Sequence, residues 1–181
     1  APVLGTLRRA PKVPHQETIQ ELASHINRAK KVALFVGAGI EGAHDEVVSL
    51  AEKAAAPVGH SLRGKDFIQY DNPFDVGMTG LLGYGAAAEG IHDADLMIMI
   101  GTDFPYDQFL PETTTIQIDT DPSVMGRRTD VDLQIEGSAL ETLRALLPLV
   151  EYKKDRKWLD RVLKKHCLLY TSPSPRDRTR S

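Results

Sequence analysis

Apolar positions divide this chain into helical stripes and short continuous runs. Ile19, Leu22, Ala23 and Ile26 recur at i, i+3, i+4 and i+7, which predicts an amphipathic helix from about Glu17. Lys30 and Lys31 follow it, where positive charge complements the helix dipole. VALFV (32–36) then reads as a buried strand. Val47, Leu50, Ala51 and Ala54 predict a second helix, stopped before Pro57. Residues 58–62 form a short candidate strand, 63–80 read as loop, and 82–92 are small residues with a weak helical pattern. LMIMI (96–100) and IQID (116–119) are further strands, the latter ending in an Asp121-Pro122 turn, and 132–135 is another short one. Ser138 and Glu141 have capping-box spacing and predict a helix with Leu140, Leu143 and Leu147 on one face.

Strands alternating with helices predict an α/β fold, doubly wound and Rossmann-like, with a six-stranded, mostly parallel sheet over about residues 15–150. The fully apolar runs fit strands covered on both faces. Residues 1–14, with Pro2, Pro11 and Pro14, read as an extended linker. Residues 151–166 intersperse charges with Trp158, Leu159, Val162 and Leu163, which predicts an amphipathic helix leaving the domain. Residues 167–181, CLLYTSPSPRDRTRS, break the composition. They read as a disordered, non-native tail resembling translated sequencing-adapter read-through.

Composition mostly excludes. At 181 residues the chain suits one domain with appendages. A net charge of -3 gives no basic signature for nucleic acid. The apolar runs are far shorter than a membrane-spanning helix requires. A single cysteine rules out an internal disulfide framework and a multi-cysteine zinc site. The six histidines show no metal-ligand spacing and read as surface or packing residues. No P-loop, nucleophile elbow or Cys–His arrangement occurs. Arg127-Arg128 reads as a solvated basic pair.

Four stretches carry candidate chemistry. Gly37-Ala38-Gly39-Ile40-Glu41-Gly42 is a G-x-G-x-x-G between a strand and a helix, where glycine lets backbone approach a pyrophosphate at a helix N-terminus. The acidic ribose-binding residue of dehydrogenases is missing downstream, where the chain reads Gly59-His60-Ser61-Leu62-Arg63. A turn that needs glycine only for its backbone remains the alternative. The loop 71–83 contains Thr79 and Gly80, able to offer hydroxyl and backbone donors. Gly101-Thr102-Asp103-Phe104-Pro105-Tyr106 and Asp119 each follow a strand, and open α/β sheets bind ligands outside those ends. For Asp119 a turn-forming role is the alternative.

Together, VALFVGAGIEGAHDEVV, SLRGKDFIQYDNPFDVGMTGLLG, DADLMIMIGTDFPYDQFLP and the run from IQID through LLPLV resemble the central domain of thiamine-diphosphate-dependent pyruvate-oxidising enzymes, the pyruvate dehydrogenase (quinone) or pyruvate oxidase family. The resemblance runs from about Pro11 to His166. Its specific part is the RGK–DNPFDVGMTGL block, whereas GAG and GTDFP also fit acetolactate synthase. It implies that the chain is a fragment holding FAD. Thr79, Gly80, Leu81 and Leu82 match a flavin-contacting loop, and Thr102, Asp103, Phe104, Pro105 and Tyr106 match a second contact run. Asp119 matches a strand-end contact, and Gly37, Ala38, Gly39 and Arg63 sit where the fold also approaches the cofactor. The spacing at 112–115 is one residue shorter than the family's.

The resemblance further implies oxidative decarboxylation of pyruvate, with electrons passed to a quinone or oxygen. Thiamine diphosphate and Mg2+ would lie in two other domains, whose catalytic Glu and GDG motif have no counterpart here, so no catalytic or metal residue is assigned. It also implies a homo-oligomer, a tetramer in the family. The location implied is cytoplasmic, with peripheral attachment at the inner membrane face left open. The alternatives are an acetolactate synthase-type central domain with structural FAD, or a free-standing nucleotide-binding module. A sirtuin-like reading of FVGAGI fails for want of the four zinc-binding cysteines.

Overall fold

A computed structural model describes residues 10–78, 92–103 and 110–171 of the chain. Its centre is a six-stranded sheet in which every pairing is parallel: β1 (Val32–Val36), β2 (Val58–His60), β3 (Asp75–Met78), β4 (Leu96–Ile100), β5 (Thr114–Asp119) and β6 (Leu133–Glu136). The order is β3-β2-β1-β4-β5-β6, so the strand order reverses between β1 and β4. In doubly wound sheets, the crevice at that reversal is where ligands bind.

The strand runs read as buried because they are covered on both faces. On one face Val32, Leu34 and Val36 of β1 join Ile98 and Ile100 of β4, Ile116 and Ile118 of β5, and Ile135 of β6. Three helices close over them: α1 (Gln16–Arg28), α2 (His44–Ala54) and α4 (Ala139–Leu146). The stripes Ile19, Leu22, Ala23, Ile26 and Val47, Leu50, Ala51, Ala54 are all buried, as the helical spacing predicts. The short α3 (Lys65–Ile68) contributes Ile68 to the same core.

The other face holds Ala33, Phe35, Met97 and Met99, the alternate residues of β1 and β4. Trp158 and Val162 of α5 (Lys157–Thr171) pack there with Val76 of β3. The expectation of a helix leaving the domain is therefore corrected. The segment before it is strapped down first. Asn27 donates to Leu149 O and accepts from the Glu151 N–H, at 3.0 and 2.9 Å. Lys153 Nζ reaches Ala29 O at 2.7 Å, capping the carbonyl end of α1. Arg156 donates to Glu52 O at 2.8 Å and lies over the Phe74 ring. With its start fixed in this way, α5 lays its apolar stripe on the sheet. Trp158 Nε1 also donates to Asp93 at 2.9 Å.

Three boundaries also move. The sixth strand is β3, inside the stretch read as loop; its pattern is short, and it contains Gly77 at φ 84°. Helix α5 begins at Lys157 and extends to Thr171, so the border drawn at 166 falls inside a helix and residues 167–171 are not disordered. Residues 172–181 lie outside the described residues. Ser138 is the N-cap of α4, yet its side chain makes no capping bond to the helix. Its hydroxyl accepts from the Lys12 N–H instead, at 2.9 Å, and Lys12 O accepts from Ser138 N–H at 2.9 Å. Leu143 is fully buried in α4, with Leu140 and Leu147 packed at the core's margin.

Candidate functional site at the carboxyl edge

The ends of β2, β1, β4 and β5 stand side by side, and each carries a residue that the sequence singled out. After β1, Gly37 donates to Ile100 O at 3.0 Å and Gly39 to Gly101 O at 2.9 Å. A Cβ on Gly39 would stand 2.5 Å from Gly101 Cα, and one on Gly37 would stand 2.6 Å from Gly101 O. Gly101 itself sits at φ 60°, a left-handed conformation that L side chains rarely adopt. These glycines let the turns after β1 and β4 cross in backbone contact. The N–H groups of Gly37 and Gly39 are already bonded within the protein, so neither is a free donor to a ligand. Helix α2 carries Asp45 and Glu46 in its first turn, with Glu41 just before, charges that disfavour an anion there. Ala38 lies in the short 3-10 turn between the two glycines.

Arg63 follows β2 in a 3-10 turn and is exposed. The turn is held against β1: Gly64 is buried, and a Cβ there would stand 2.8 Å from Val36 O. Arg63 thus enters the cleft edge as an exposed cation beside the glycine crossing.

On the other side of the crossing, Thr102 is buried at 6% exposure and its carbonyl accepts from Gln117 Nε2 at 3.2 Å. Gln117 Oε1 accepts from Gly126 N–H at 2.9 Å. One buried amide therefore ties the loop after β4 to the loop between β5 and β6. That second loop brings Arg127 and Arg128 onto Asp103, Arg127 through Nη2 and Arg128 through Nε at 3.4 Å. The basic pair is not merely solvated; it neutralises the carboxylate that the resemblance assigns to the cofactor. Sequence reading missed both arginines and Gln117. Their only signal was position, close after a strand whose end already carried a candidate.

Asp119 closes the row. Burial pushes its carboxyl above the usual range; hydrogen bonds from the Asp121 and Thr120 backbone oppose this, and the nearby charges of Asp121 and Asp103 add to the rise. The carboxylate accepts from Asp121 N–H at 3.0 Å. That bond, two residues on, is itself an Asx turn, and Asp121 repeats it by accepting from Ser123 N–H at 2.9 Å. Asp119 is thus a partly desolvated acceptor at a strand end.

The structure therefore gathers Gly37, Ala38, Gly39, Arg63, Thr102, Asp103 and Asp119 along one edge. Thr79, Gly80, Leu81, Leu82, Phe104, Pro105 and Tyr106 lie outside the described residues. Among the described residues, no group of three or more His, Cys, Asp or Glu side chains could hold a metal. No described helix is long and apolar enough to cross a membrane.

Residues 19–146 match the family model for the thiamine pyrophosphate enzyme central domain. The chain belongs to that family. A Pseudomonas amyloderamosa protein, named only as a 42.6 kDa protein in the isoamylase 3' region, is 43% identical over 83% of this chain and 38% of its own length. The large subunit of acetolactate synthase isozyme 1 of Escherichia coli is 30% identical over 79% of the chain and 26% of its own length. A thiamin diphosphate-dependent enzyme structure from Mycobacterium smegmatis superposes with a TM-score of 0.70 and 27% identity, over 86% of this chain and 32% of that one. Benzoylformate decarboxylase of Polynucleobacter necessarius, at 24% identity and TM-score 0.69, shares the fold. The chain thus spans between about a quarter and two-fifths of the relatives' length.

Proposed function

We propose that this chain is the central domain of an acetolactate synthase-type thiamine diphosphate enzyme, with FAD held along the carboxyl edge of the sheet. The supporting observation is that acetolactate synthase large subunits from several organisms align with most of the chain at about 30% identity. The donor set fits a ribose or ribityl polyol at one side, where Asp119 is a partly buried acceptor at the end of β5. The glycine turn is less suited to pyrophosphate, since the Gly37 and Gly39 N–H groups are bonded within the protein and Asp45 and Glu46 open the helix after it. Arg63 is the exposed cation at that edge suited to phosphate. When bound, thiamine diphosphate supplies the carbanion chemistry on pyruvate. This chain's residues position the flavin and contribute no bond-breaking group.

A pyruvate-oxidising flavoenzyme is the second reading, and the 71–83 block with its RGK lead favours it. In that case the flavin carries electrons to a quinone or oxygen, whereas in the first it is structural. Pyruvate as substrate, a homotetramer and a cytoplasmic location belong to both readings. The test uses the full-length protein carrying this domain, supplied with thiamine diphosphate, Mg2+, FAD and pyruvate. Acetolactate formation without flavin reduction supports the first reading. Acetate formation with stoichiometric reduction of a quinone selects the second. Neither product, with no FAD retained, overturns both and leaves a nucleotide-binding module.

A further inference from the structure

His44 opens α2, and its ring faces two acceptors. Nδ1 lies 2.9 Å from Asp45 Oδ1, and Nε2 lies 2.8 Å from Tyr70 O. A carboxylate and a carbonyl both accept, so both ring nitrogens must donate, which only the imidazolium does. The ring also stacks on Tyr70, with centroids 4.3 Å apart and planes 9° from parallel. A cation on an aromatic face is favourable. The charged groups that act on His44 are Asp45 on its own helix and Asp71 in the turn opposite, and the titratable Tyr70 ring stacks on it.

Tyr70 and Asp71 form the turn between α3 and β3. Asp71 holds φ 46°, a left-handed conformation that Asp, with its short polar side chain, adopts more readily than most residues. Beyond it, Phe74 N–H donates to Asn72 Oδ1 at 3.0 Å, Asp75 N–H donates to Asn72 O at 3.3 Å, and β3 begins. Phe74 O accepts from Val58 N–H at 2.8 Å, which ties the strand's start to β2, and His44 fastens the turn just before it to α2.

We propose that His44 is a pH-sensitive clip that fastens the Tyr70–Asp71 turn, and with it the start of edge strand β3, to the N-terminus of α2. Desolvation lowers the affinity of the ring for its second proton. The hydrogen bonds to Asp45 and Tyr70 O and the charges of Asp45 and Asp71 together outweigh it, so the folded pKa lies above the ordinary histidine value. The sign follows: the clip is fastened below the unfolded pKa and is lost as pH rises through the folded one. Rings that lose the proton keep one of the two hydrogen bonds, and the turn opens more often. Because β3 runs directly into residues 79–82, a consequence for cofactor access would rest on the function proposed above. The clip itself does not.

The test is amide hydrogen exchange of the intact chain, read at Phe74 and Asp75 and corrected for intrinsic base catalysis, together with NMR titration of the His44 ring. Protection at both amides should fall about fivefold across the ring's titration. His44→Gln, which can donate one bond but does not titrate, should abolish that pH dependence. Asp45→Asn should lower the ring's pKa while leaving the fold intact. The proposal is overturned if His44 titrates at or below its ordinary value. It is equally overturned if protection at Phe74 and Asp75 is the same on both sides of the titration, or if the pH dependence survives in His44→Gln. None of these readings requires a bound cofactor, so failure here is separable from failure of the flavin assignment.

Discussion

Two halves of the same sheet edge use their polar and small residues in opposite ways. On the β1–β4 side, Gly37, Gly39 and Gly101 are consumed by backbone contact, and their available N–H groups close onto carbonyls. On the β5 side, Asp119 keeps a partly desolvated carboxylate at a strand end, one oxygen of which accepts from Asp121 N–H while Asp121 in turn accepts from Ser123 N–H. A motif with the look of a ligand cradle also serves as an architectural joint, and a carboxylate that forms a turn also sits partly desolvated at a strand end. The same residue types serve either purpose, and what decides is whether the neighbouring strand end fills the space.

That contrast can be broken by substitution. Gly101→Ala should have the largest effect: it places a Cβ 2.5 Å from Gly39 Cα at φ 60°. The cost should be about 3 kcal/mol or more, a fall in melting temperature of roughly 6–12 °C. A cofactor-only role would leave the unliganded melting temperature unchanged, and calorimetry separates the two.

Gln117→Leu comes next. It removes the amide joining Thr102 O to Gly126 N–H and leaves a partly buried donor unpaired. The expected loss is about 1–3 kcal/mol by urea denaturation. A value near zero would mean that the two loops hold each other by other means.

Smaller still is Arg127→Ala. Its side chain is 50% exposed and shares Asp103 with Arg128. Stability should change by less than about 1 kcal/mol, and by less at high salt. A loss well above that would make the Asp103 pair a structural joint like the glycines.

The two halves also differ in how far they could be read. VALFV and LMIMI are legible because a parallel strand buried on both faces leaves a continuous apolar run. The α1 and α2 stripes are legible because each buries a single face. β3 was not legible: it is four residues long, lies at the sheet edge and carries a glycine, so neither period nor propensity marks it. Nor was the return of α5 onto the Phe35–Met97–Met99 face, since an amphipathic stripe states that a face will be buried, not against what. The Ser138 capping box lost to Lys12, a partner more than a hundred residues away. At the site, topology alone predicted that strand ends 1, 4 and 5 meet. It could not predict that the glycines would be spent on one another, because a close approach of two turns and a close approach to a phosphate demand the same absence of a side chain.

Asp119 gives the most direct measurement. Its folded pKa is raised, so at neutral pH its charge costs stability, and that cost is relieved as pH falls through the folded pKa. Asp119→Asn should therefore leave the unliganded melting temperature at pH 7 unchanged or slightly higher. It should also lose FAD affinity about tenfold, as expected for a charged acceptor removed from a ligand hydroxyl. Both are read on one preparation, by thermal unfolding and by flavin fluorescence titration, with NAD as the control ligand. An Asp119→Asn chain that binds FAD as tightly as the native one, or that melts several degrees lower without ligand, would contradict the division of this edge into a packed half and a binding half.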